Sequence, residues 1–145
     1  MNYDFLSAFL QLAQQVTQAE RGFVVDSQLV VVDRIAFELE DLKDDIFLQF
    51  ALTPLRQALD LAKPIVTNNI ITDPSKAPQT NTNFSELRII VGIPLKQIGA
   101  VYLEKHIRHG IIPRPTLESI IHLANASDEA ASYNLEDLLS RFSLA

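Results

Sequence analysis

Three histidines, one polar loop and a strand tyrosine are the residues in this chain whose types could do chemistry. His106 and His109 follow Glu104 in the order Glu-x-His-x-x-His. Imidazole and carboxylate are ordinary ligands of a divalent metal. Arg108 lies between the two histidines, where the segment leaves a strand for a loop. A solvated charged turn is therefore the stronger reading, and no metal site is expected. His122 stands alone on a helical stretch and reads as structural. Serine, histidine and aspartate all occur, but no Gly-x-Ser-x-Gly elbow presents a nucleophile. No catalytic residue is expected, and the chain reads as non-enzymatic. With no cysteine there is no disulfide, thiolate nucleophile, thiol-linked chromophore or cysteine-held metal.

The polar loop runs from Asn68 to Leu87, and loops of this length inside compact domains are usually functional or mobile. Asn69, Asp73, Asn83 and Arg88 supply donors and acceptors, and Phe84 could stack on a flat ligand. Pockets need a few polar groups among apolar walls, which this loop could supply. With Tyr102, these are the candidate ligand-binding residues. A second reading stands beside the first: the asparagines are turn formers in a polar loop. Tyr102 sits in an apolar strand and reads equally as a core aromatic with its hydroxyl at the edge. The acidic run Glu38–Asp45 lacks the register of a calcium loop and reads as a solvated connector. The four glycines are scattered and make no phosphate loop. No cofactor is identified.

The elements that must position these residues belong to one globular domain. The 145 residues are 48% apolar and 21% charged, values that suit a single buried core. Net charge is −6, from 18 acidic and 12 basic residues, with no basic cluster to displace counterions. No nucleic-acid partner is expected. No apolar run approaches the roughly 20 residues that span a bilayer. The N-terminus has no basic segment ahead of its apolar residues. A cytoplasmic protein without membrane contact is the expectation.

Phe5, Phe9, Leu12 and Val16 fall at helical spacing, and Gly22 is expected to break that helix. Phe23–Asp26 and Leu29–Ala36 read as strands joined by the turn chemistry of Asp26–Ser27–Gln28. Leu48, Leu52, Leu55, Leu59 and Ala62 keep the helical period, and Thr53–Pro54 reads as a cap with proline at the first helical position, which predicts a helix from Pro54 to about Ala62 and leaves room for a short separate helix before it. Lys63–Pro64 ends it before a short strand at Ile65–Thr67. Arg88–Glu104 is a buried hairpin turning at Lys96–Gln97. Within it, Pro94 marks an edge or bulge, and Gly92 permits close backbone approach. Leu117, Ile120, Ile121, Ala124 and Ala131 share a helix face, and Asn134 caps a last helix carrying Leu135, Leu138, Leu139 and Phe142. Apolar stripes at both ends must face something. Either they build a two-fold interface, the commonest association, or the tail folds back on its own sheet.

This order of elements resembles the GAF family. AERGFVVD at Ala19–Asp26 is similar to the family's first strand, and TPLRQALDLAKPIVTNNI at Thr53–Ile70 to its central helix and following strand. LRIIVGIPL at Leu87–Leu95, IGAVYLE at Ile98–Glu104 and the segment Gly110–Ala131 are similar to its closing half. The resemblance spans roughly residues 3 to 131. It implies an α/β (α+β) fold: a central antiparallel sheet of about five or six strands, helices on its faces, and N- and C-terminal helices packed together. Residues 1–132 would form the domain, and 133–145 a helical tail or a linker to an output domain. It further implies a cytoplasmic signalling module that binds a small molecule and homodimerises through its end helices. Asn68–Asn69 lacks the lysine, and Phe84–Arg88 the Asp-Glu pair, of the family's cyclic-nucleotide binders. A purely structural homodimerisation module is the alternative. A small hydrolase or reductase ranks third, lacking a nucleophile motif and cysteines.

Overall fold

The computed structural model describes residues 3–38, 40–69, 88–96, 98–106, 110–126 and 134–144. The first helix, α1 (Tyr3–Thr17), buries Phe5, Leu6, Phe9, Leu10, Leu12 and Ala13 and leaves Asp4, Gln11 and Gln15 outward. That division follows from the 3.6-residue period of its apolar stripe. Contrary to expectation, Gly22 does not end this helix. The chain turns at Gln18, whose φ is 58°, and the Thr17 hydroxyl donates back to the Ala13 carbonyl at 2.6 Å. Gly22 lies inside the first strand, where a Cβ would meet the Tyr102 carbonyl oxygen at 2.6 Å. It is a glycine because β-strands approach closely there.

The strands are β1 (Arg21–Asp26), β2 (Val31–Ile35), β3 (Ile65–Asn69), β4 (Arg88–Leu95) and β5 (Gly99–His106). They form one antiparallel sheet in the order β2-β1-β5-β4-β3. The β1–β2 turn is organised by Asp26, whose Oδ1 accepts from the Gln28 and Val30 amides at 2.8 and 3.1 Å. Such self-bonding is why aspartate favours turns. The β4–β5 turn closes as expected, with Lys96 at φ 53° and the Ile98 amide donating to the Leu95 carbonyl. β3 pairs along β4 only as far as Gly92. Pro94, two residues on, therefore has β5 beside it and needs no donor toward β3.

A second helix, α2 (Asp45–Leu61), lies across one sheet face. The sequence pointed to a start at Pro54, capped by Thr53. Instead Asp44 is the cap, its Oδ1 accepting from the Ile46 and Phe47 amides, and Pro54 sits inside the helix. Thr53 donates its hydroxyl to the Gln49 carbonyl one turn back, as an interior helical threonine does. Gly92 lets this helix close on the sheet: a Cβ there would lie 3.0 Å from the Pro54 carbonyl oxygen.

The opposite face is covered by α1 together with α3 (Arg114–Ala126) and α4 (Leu135–Leu144). Ile120, Leu123 and Ala124 of α3 and Leu138 of α4 join the α1 core, with Leu135, Leu139 and Phe142 packed beside it. Asn134 caps α4 as expected, its Oδ1 accepting from the Asp137 amide at 2.8 Å. The fold is thus mixed α and β: a five-stranded antiparallel sheet between two apolar layers, with the two end helices packed together. Among the described residues no helix is long and apolar enough to cross a membrane.

Candidate functional site

The layer beneath α2 is aromatic. Phe23 of β1 stacks on Tyr102 of β5 with ring centroids 4.8 Å apart. Phe37, just after β2, meets Phe23 at 5.6 Å and Phe47 of α2 at 5.5 Å. Both rings also lie within 6.4 Å of Tyr102. Edge-on and offset contacts of this kind each add about 0.5–1.5 kcal/mol beyond area burial.

A polar chain adjoins the aromatic one at the same end of the sheet. The Tyr102 hydroxyl donates to Glu104 Oε2 at 2.6 Å, and Arg21 Nε donates to Glu104 Oε1 at 2.9 Å. Alternation along β5 places Tyr102 and Glu104 on one face, and antiparallel register sets Arg21 directly opposite Glu104. The Glu104 side chain is 4% exposed and that of Arg21 26%. The Arg21 guanidinium carbon also lies 4.3 Å from the Phe37 ring centroid and 5.8 Å from that of Phe47. A buried carboxylate is tolerable only when paired and hydrogen-bonded, and this arrangement supplies both.

Lys105, the next residue on β5, faces the other layer. It is 5% exposed, and its ammonium donates to the Thr17 carbonyl at the end of α1 at 3.0 Å. Nearby, the His106 amide donates to both carboxylate oxygens of Glu20, at 3.1 and 3.2 Å.

Of the residues singled out from sequence, Tyr102 is fully buried as a core aromatic with its hydroxyl bonded to Glu104. Asn69 and Arg88 are backbone register partners, and Arg88 is also paired with His106, so all three lie at the sheet end that carries Arg21 and Glu104. Asp73, Asn83, Phe84 and His109 lie outside the described residues. His122 is exposed on α3. Among the described residues no three His, Asp or Glu side chains gather as a metal site requires. The connector before α2 does more than span a gap: Asp44 caps α2, and a 3-10 turn at Asp41–Lys43 buries Leu42.

Sequence reading missed Arg21, Phe37, Phe47 and the role of Glu104. The signal available was a charge at the start of one apolar strand and another near the end of a second. Their meeting depends on register between distant segments.

No family model matches the sequence, and no curated protein matches it. Among solved structures, the chain is similar to the GAF domain/HD domain protein from Geobacter sulfurreducens. That likeness covers 100% of each chain at 13% sequence identity, with a TM-score of 0.46. A likeness that distant carries no argument about activity.

Proposed function

We propose that this chain is a GAF-like, non-enzymatic regulatory domain of the cytoplasm. It would take a small molecule on the α2 face, at the sheet end that carries Arg21 of β1 and Glu104 of β5. The observation that carries this reading is the Arg21–Glu104–Tyr102 chain set against three further aromatic rings, Phe23, Phe37 and Phe47. Polar groups fixed among apolar walls are what small-molecule sites are built from. The layer on the other face is apolar throughout its described core apart from Lys105, Thr17 and Asp26 at its rim. Asn69, Arg88 and Tyr102 remain candidate ligand residues by their place at this sheet end, as do Asp73, Asn83 and Phe84 by sequence.

Homodimerisation through the end helices belongs to the same proposal, with a changed rationale. The apolar stripes of α1 and α4 close on each other and on the sheet within one chain. A dimer would therefore use outward residues such as Gln11, Gln15, Glu136 and Asp137. A second reading, a structural module without ligand, is favoured by the dense packing of Tyr102, which has no exposed surface.

Native mass spectrometry of the purified protein, repeated after denaturation, tests these readings. A small-molecule adduct that denaturation releases supports the regulatory reading. Its absence favours the structural module. A monomer alone at working concentrations defeats the dimer.

A further inference from the structure

We infer that Arg21 is an oxyanion receptor, and that the small molecule taken on this face presents a carboxylate or phosphate group to it. The inference rests on the reading above that a ligand binds beneath α2. Three contacts fix the guanidinium. Nε is held by Glu104, the guanidinium carbon lies 4.3 Å from the Phe37 ring centroid, and Phe47 stands further along at 5.8 Å. Glu104 is itself held by the Tyr102 hydroxyl, so the carboxylate behind the guanidinium cannot swing away. Among the described residues no group accepts a hydrogen bond from Nη1 or Nη2 of Arg21, and the side chain is 26% exposed.

An arginine on a surface ordinarily keeps its rotamer freedom and its hydration. Here Nε is held while the forked outer edge, with its N–H pair, has no hydrogen-bond partner among the described residues. That fork matches the two oxygens of a carboxylate or phosphate, and the match strengthens when the fork is preorganised. Lysine at this position would keep the charge but lose the fork, the stacking and the Nε bond. Glu104, 4% exposed, pairs with Arg21 through Nε. Anions held by Arg21 alone bind weakly, and the rest of the ligand must supply the remainder from the rim around Arg21.

The test uses the whole chain, with arginine side chains labelled with 15N and observed by NMR. Sodium acetate and sodium phosphate are titrated separately, each against sodium chloride at equal ionic strength. The expected result is a saturable shift of the Arg21 side-chain resonances with acetate, phosphate or both, absent with chloride. The stronger of the two identifies the group. A response no larger than chloride's overturns the inference, and this measurement needs no variant to fold. In Arg21→Lys, checked for folding by circular dichroism, affinity for the responding anion should fall at least tenfold; unchanged affinity also overturns it. An adduct in native mass spectra that Arg21→Lys retains undiminished overturns the receptor but leaves ligand binding standing. Anion binding without any adduct has the reverse meaning.

Discussion

Glu104 and Lys105 are consecutive on β5 and buried on opposite sides of the sheet. Glu104 anchors Arg21 and Tyr102 in the aromatic layer, and Lys105 anchors the end of α1 in the other. One peptide unit therefore ties the candidate site to the first helix.

Removing Glu104 should be the most damaging polar change. Glu104→Ala leaves Arg21 without its carboxylate, and breaking a buried pair costs roughly 3–5 kcal/mol. Because Arg21 keeps some contact with solvent, about 2–4 kcal/mol is expected in urea unfolding. Tyr102→Phe should cost about 1–2 kcal/mol by deleting one donor to a buried carboxylate. In the double variant the losses should fall short of their sum, since both act on one network. Full additivity would mean that the hydroxyl and the carboxylate are not coupled.

Lys105→Met keeps the stem and deletes the ammonium. The charge at the helix C-terminus and the bond to Thr17 are lost, while the cost of burying the charge is relieved. The expected net loss is about 1 kcal/mol, concentrated in the last turn of α1. Hydrogen exchange of the amides near Thr17 should accelerate while the sheet is unchanged. Identical protection in both proteins would make the contact incidental.

Gly92→Ala places a methyl 3.0 Å from the Pro54 carbonyl oxygen and 3.4 Å from Leu55 Cδ2. Backbone blocks one side, so α2 must move outward. Overpacking of this sort costs about 1–3 kcal/mol, to be read as a lower thermal midpoint. A neutral substitution would show that α2 does not approach the sheet this closely.

Two substitutions decide where α2 begins. Asp44→Ala removes two side-chain bonds to backbone amides and should destabilise by about 1 kcal/mol. Thr53→Ala replaces an exposed interior residue with a better helix former and should change stability by less than about 0.5 kcal/mol. The reverse order would restore the start at Pro54.

Elements whose signals are local were legible in the sequence. The stripe of α1, the Asn134 cap, the β4–β5 hairpin and the close approach at Gly92 all depend on residues a few positions apart. The start of α2 was misread because the strong cap signal at Thr53–Pro54 outweighed the helical period that Leu48 and Leu52 already keep. Asp44 carries an equal one nine positions earlier, and tertiary packing of Phe47 and Ala51 decides between them. Tyr102 was placed correctly in a strand core, but its bond to Glu104 was not seen. The aromatic layer draws on positions 23, 37, 47 and 102, and no periodicity relates them. Arg21 in AERG could be quoted as a resemblance; its partner could not be named without the register.

The Arg21–Glu104 bond spans 83 residues of chain, and β1 has only its hairpin partner β2 until β5 exists. At about 5–20 residues per second of synthesis, the β1–β2 ribbon, complete at Ile35, waits on the order of 3–14 s for Glu104 with its inner edge unsatisfied. Isolated two-stranded ribbons are marginal in water. The nascent chain therefore carries an adhesive edge until β5 has been made.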